Sequence, residues 1–178
     1  LGGRVQLPEH LLAALVMLAV DDCALRFEGD EAPVLAGSAR PWVRAILAAG
    51  VAGPAPRTGL EVRVEARGVT VTWSGGTAPA PARTFMNVDD AARLRATFPG
   101  ARPGDAVLFR DGGAVFGGRP RMRDEPTWHK LLDVLGDLGP WRARGRLVGR
   151  IERVDPTHGG NGAALVSDLE IGRIQWAP

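Results

Sequence analysis

LEVRVEA, residues 60–66, and VTVTWS, residues 69–74, alternate apolar and polar side chains with a period of two and flank Arg67-Gly68. That pattern reads as two half-buried strands joined by a tight turn, a β-hairpin. Upstream, VAGPAPRTG at 51–59 is a proline- and glycine-rich linker, and downstream a second loose stretch runs from 75 to 82. The hairpin therefore opens a new unit, and what lies before the linker is read separately.

Before the linker, Pro8 stands in the first turn of an apolar run, LLAALVMLAV at 11–20, which predicts a helix from Leu7-Pro8-Glu9-His10 to near Asp21 and Asp22. CALRFE at 23–28 alternates like a strand. Ser38 is placed to cap a second helix, PWVRAILAA, that stops at Gly50. After the hairpin, Asn87 is placed to cap a helix over VDDAARLRATF at 88–98. The stretches 105–110 and 114–116 surround Asp111-Gly112-Gly113 as another hairpin. A helix over 126–138 ends at Gly139-Pro140, a strand follows near 146–154, and a last helix begins after Asn161. The fold class is α+β, with a first unit at 1–52 and a second at 53–178.

With 178 residues, 45% hydrophobic and 24% charged, the chain can bury a core, which excludes global disorder. A formal charge of +2 without a basic run gives no reason to expect nucleic acid as a partner. The longest apolar run, at 11–20, is about half of the ~20 residues a membrane span requires. The single Cys23 excludes an internal disulfide and a thiolate zinc cluster, fits a reducing, cytoplasmic setting, and reads as a small buried apolar residue. Gly117-Gly118, Gly159-Gly160 and Gly37-Ser38 fit no phosphate-binding loop, dinucleotide fingerprint or nucleophile elbow, and are read as turns.

Only three histidines are present, His10, His129 and His158. His129 and Asp133 are four apart in a predicted helix and share one face, a row that Asp137 extends. Such a pair suits Zn²⁺ but is equally a solvated polar stripe. Lys130, the single lysine among 22 basic residues, stands next to His129, where a compact ammonium is not interchangeable with a guanidinium. Glu9-His10 opens the first helix and offers a third metal donor, or simply a helix-terminal acid and a surface imidazole. His158 lies in DPTHGG, read as a flexible loop.

PEHLLAAL, FEGDEAPVLAGSARPWV, ARTF, HKLLDVLGDL and THGGN occur in the order seen in the UDP-3-O-acyl-N-acetylglucosamine deacetylases of lipid A synthesis, and over most of its length the chain resembles that family. The resemblance implies two small α/β sandwich units facing each other across a metal site, with the first unit truncated. It implies zinc held by His10, His129 and Asp133, which leaves a fourth position open as in catalytic sites. It makes Glu9 the general base, His158 the acid and electrostatic partner, and Asp137 the group that orients His158. Lys130 and Thr84 match the family's lysine and threonine. Phe85, Asn161, Leu94, Phe98, Val107 and Phe109 fall where substrate would bind, the last four along a hydrophobic passage for an acyl chain or, alternatively, in the second unit's core.

Departures accompany the matches. The family has several strands before the EH helix, Ala36-Gly37-Ser38 stands where it has DGS, Met86 and Asn87 replace a glycine and an aromatic, and Trp128 replaces a basic residue. These changes touch the substrate groove more than the metal. The expected function is removal of the N-acetyl group from a UDP-amino sugar. Zinc deacetylation of another N-acetylated amino sugar and a non-catalytic binding relative are the alternatives, and the intact Glu9, Lys130 and His158 argue against the last. A strand at 23–28 with an unpaired edge would be completed by a homodimer or strand exchange, or would leave a smaller, more open cleft.

Overall fold

A computed structural model of the chain describes residues 6, 8–29, 31–51, 59–90, 102, 104–110, 113–116 and 119–177. The hairpin forms as its alternation requires: β1 (Leu60–Ala66) and β2 (Val69–Trp73) are antiparallel, and Leu60, Val62, Val64 and Ala66 turn inward. β6 (Leu147–Val154) runs parallel to β1 on its other side, and β7 (Ile174–Trp176) closes antiparallel on β6. The sheet order is β2-β1-β6-β7. Its outer face carries Glu61, Arg63, Arg150 and Glu152 as exposed ion pairs, which contribute little net stability.

The inner face packs on α3 (Glu125–Leu138), and α1 (Glu9–Met17) packs against α3. Leu131, Leu132, Val134, Leu135 and Leu138 are fully enclosed, so α3 is a central helix apolar on most of its circumference. Its polar residues are therefore exceptions that the packing must accommodate. α2 (Arg40–Ala48) lies against α1 through Val43, with Trp42 and Ile46 at the edge of the same core. A smaller sheet, β3 (Thr84–Asn87), β4 (Ala106–Arg110) and β5 (Gly113–Phe116), sits between β2 and α3 in the chain, with β3 and β4 parallel and β4 and β5 antiparallel.

Close approach of α1 to α3 depends on Gly136. A Cβ there would stand 2.5 Å from the Glu9 carbonyl oxygen, and one on Gly139 would stand 2.8 Å from Leu12 Cβ. Gly136→Ala gains about 1 kcal/mol of helix propensity but forces the two backbones apart. We expect a net loss of about 1–3 kcal/mol in denaturant melts, as for other overpacked cores, with Glu9-His10 as the displaced segment.

Four expectations are corrected. No strand forms at 23–28: residues 21–26 are exposed, and the one pairing nearby among the described residues is a bridge between Gln6 and Glu31. Alternation alone makes no strand without a neighbouring ladder, so the edge that was to recruit a partner is not there. Cys23 is exposed. Ser38 does not cap α2; it is buried and its hydroxyl accepts from Arg121 Nη1 at 3.1 Å. The last helix, α4 (His158–Glu170), begins three residues before Asn161, because Thr157 is its cap and accepts from the Gly160 amide. The helix expected over 88–98 begins at Val88, directly after β3, but most of it lies outside the described residues.

Candidate active site

α3 presents His129, Asp133 and Asp137 along one side at successive turns, and the N-terminus of α1 brings Glu9 and His10 to the same place. His10, His129 and Asp133 each offer a donor atom, and these three atoms lie within 4.8 Å of one another. The His10 and His129 rings meet edge to face with centroids 5.2 Å apart. Both imidazoles are buried, and burial pushes the pKa of His10 down to about 3, with the charges of His129 and His158 adding to the effect. His10 is thus a neutral imidazole with a free lone pair, the form that binds metal.

His129 is more constrained. Its Nδ1 lies 3.1 Å from the Ala82 carbonyl oxygen, which can only accept, so Nδ1 carries a proton and the neutral ring presents its lone pair at Nε2. That lone pair faces Asp133 Oδ1 at 3.3 Å. Asp133 keeps 20% of its side chain exposed, yet Oδ1 is sealed from solvent and has no hydrogen-bond partner. Two acceptors pointed at each other repel unless a proton or a cation lies between them. Burial raises the Asp133 pKa, the same conflict seen from the carboxylate. A tetrahedral zinc with bonds of ~2.1 Å would need donor atoms about 3.4 Å apart. The residues present fit that ion with a small contraction.

Around this cluster stand Glu9, His158 and Lys130. Burial raises the Glu9 pKa, an effect opposed by its own backbone amide and reinforced by Asp133. His158 opens α4, with Nδ1 3.1 Å from both oxygens of Asp137 and Nε2 3.9 Å from Asp133 Oδ2. Its pKa is raised to about 9, chiefly by the hydrogen bond with Asp137, against burial and with help from Asp133 and Glu9. Its aim comes from the helix terminus and not from a flexible loop. Lys130 Nζ donates to the Pro156 carbonyl at 2.9 Å, just ahead of that terminus, and lies 6.0 Å from the centre of the Phe85 ring.

Asn161, expected to meet substrate, is buried and donates to Asp137 Oδ2 at 2.6 Å, so it braces the partner of His158. Thr84 opens β3 beside the Gly37 turn, where a Cβ would fall 1.7 Å from the Asp105 carbonyl oxygen and 3.3 Å from Thr84 Cγ2. Phe85 is edge-on to both His129 and Phe109, with centroids 6.2 Å apart in each case. Val107 and Phe109 are buried on the same sheet and line an open cavity of about 300 Å³ with Val69, Met122, Pro126 and Arg67. Leu94 and Phe98 lie outside the described residues. Reading by motif gives no role to Ala82, Arg83, Glu125 or Gly136, whose parts depend on contacts between distant segments.

A family model for UDP-3-O-acyl N-acetylglycosamine deacetylase matches residues 2–77 and 76–169. Relatives bearing the name UDP-3-O-acyl-N-acetylglucosamine deacetylase include one from Thermosynechococcus vestitus, 32% identical over 77% of this chain and 60% of its own length. One from Chlamydia muridarum is 31% identical over 77% of this chain and 62% of its own. A third, from Phenylobacterium zucineum, is 31% identical over 92% of this chain and 68% of its own. The chain spans about three fifths of the length of the first two.

Proposed function

The chain belongs to the UDP-3-O-acyl N-acetylglycosamine deacetylase family, and on that footing we propose that it is a zinc-dependent hydrolase that removes the acetyl group from the nitrogen of UDP-3-O-acyl-N-acetylglucosamine in lipid A biosynthesis. One observation carries the metal part of this reading: the His129 Nε2 lone pair faces the orphaned Asp133 Oδ1, with the neutral His10 completing the set. When bound there, zinc supplies a Lewis acid that makes water more acidic and a carbonyl more electrophilic.

Glu9, held next to the cluster with a raised pKa, takes the proton of the water that attacks the acetamide carbon. Lys130, anchored on Pro156, and Thr84 supply positive charge and a donor for the oxygen that becomes negative as the tetrahedral species forms. His158 is kept protonated by Asp137 and gives its proton to the nitrogen as the C–N bond breaks, leaving acetate and a free amine. Asn161 holds Asp137 for that purpose. Phe85, with Val107 and Phe109 behind it, offers an apolar wall for an acyl chain, and residues 1–52 are the first unit, which supplies Glu9 and His10.

The test is metal analysis of the purified protein, with acetate release measured from a UDP-3-O-acyl-N-acetylglucosamine and from simple N-acetyl sugars. Zinc near one per chain and release from the nucleotide substrate alone are expected. Release from the simple sugars alone would move the substrate to another amino sugar, and metal-independent release would remove the zinc assignment. A cytoplasmic location is carried as part of the same proposal, whereas the homodimer loses its ground because the strand edge at 23–28 that was to recruit a partner does not form.

A further inference from the structure

Beyond the residues of the deacetylase reading, we propose that Arg83 and Glu125 are positioning residues that set Thr84 and His129 relative to one another. Their ion pair is enclosed, with side chains 3% and 1% exposed. Glu125 accepts from the Arg83 amide and Nε at 2.9 Å, from Arg83 Nη2 at 3.1 Å and from the Arg121 amide at 2.8 Å. Four donors hold the carboxylate, and its pKa falls below the usual range despite burial. The guanidinium also donates to the carbonyls of Gly104 and Arg119 at 3.2 Å, tying the approach to β4 and the exit of β5 to the same point.

The placement of these contacts gives the pair its meaning. Glu125 and His129 are one turn apart on α3. The entering strand meets that helix three times: Ala82 through its carbonyl on His129 Nδ1, Arg83 on Glu125, and Phe85 with its ring edge-on to the His129 ring. Thr84 is bracketed between these contacts. Sliding the strand would move the Thr84 hydroxyl and withdraw the carbonyl that fixes the His129 tautomer.

Stability alone does not account for such a pair. Replacing a buried ion pair by apolar groups of similar volume is often neutral or stabilising, so the cost of desolvating this one is offset by geometry. The planar fork of arginine reaches four acceptors in three directions, which an ammonium cannot reproduce.

The inference rests on the proposed metal site for its cobalt and acetohydroxamate readouts and on the deacetylase reading for its turnover measurement. Cobalt-loaded wild type, Arg83→Lys, and the apolar double variant Arg83→Met/Glu125→Leu would be compared by thermal melting, the visible cobalt absorption band, acetohydroxamate affinity read from that band, and kcat and KM. Acetohydroxamate probes the metal and the groups beside it without needing turnover. In both variants we expect a folded, cobalt-loaded protein whose acetohydroxamate affinity and kcat are lower by about tenfold, the scale of one misplaced hydrogen bond, with KM within about threefold. Wild-type acetohydroxamate affinity in either folded variant overturns the proposal, as does a loss that vanishes on normalising to the folded, cobalt-loaded fraction. If one variant does not fold, the other decides. A wild type that binds cobalt and acetohydroxamate but releases no acetate defeats the deacetylase reading and leaves the affinity comparison to decide this one.

Discussion

Glu9→Gln should leave the metal content of the protein unchanged and lower acetate release on the order of a hundred- to ten-thousandfold, the range a positioned general base contributes. The variant keeps the size of the side chain and the first turn of α1, so the contact of the Glu9 carbonyl with Gly136 survives. What disappears is the carboxylate whose pKa burial has raised toward that of a useful base. Glu9 is not one of the three donors of the metal cluster, and the adjacent His10 keeps its place in the core. Turnover by Glu9→Gln within a few-fold of wild type would remove the general-base role from Glu9. A parallel loss of zinc would mean instead that Glu9 helps hold the ion.

Two of the three candidate metal donors are legible in the sequence because they obey a helical period. A spacing of four places His129 and Asp133 on one side of any helix, and Pro126 near the start with Gly139-Pro140 at the end bounds that helix. Their third partner, His10, comes from a segment more than a hundred residues away, and no local pattern joins it to them; ordered motifs did. The contact that fixes the His129 tautomer is not legible in the sequence. Nothing in the letters around Ala82 announces that its carbonyl fixes the His129 tautomer, and Glu125 reads as an ordinary acid in the first turn of a helix. Residues 23–28 mislead for the opposite reason. Their alternation is genuine, but a strand is a property of a pair, and no neighbour among the described residues offers them a ladder. His158 stands in a helix and not in the expected loop because Thr157 caps α4, while the Asn161 side-chain amide is committed to Asp137.

Asp133→Asn should change the stability of the metal-free and the metal-loaded protein in opposite directions. Without metal, the His129 Nε2 lone pair and the sealed Asp133 Oδ1 oppose each other at 3.3 Å, and the fold bears that repulsion or takes up a proton to relieve it. An asparagine of the same shape can turn its amide N–H toward Nε2 and supply the missing donor. Converting an unsatisfied buried acceptor into a hydrogen bond is worth about 1–3 kcal/mol, which for a chain of this size raises the metal-free Tm by roughly 2–12 °C. With zinc the sign reverses. The neutral amide is a poor ligand, so the variant loses the stabilisation that a tightly bound ion confers on the native state in proportion to RT ln(1 + [metal]/Kd). The wild-type melting curve should therefore shift upward on adding zinc and downward with a chelator, while the Asp133→Asn curve stays fixed between the two. If the variant melts below the metal-free wild type in the presence of chelator, the facing acceptors are not a source of strain. His129 Nε2 would then have a partner other than an ion, and the geometric case for zinc at this site would fall with it.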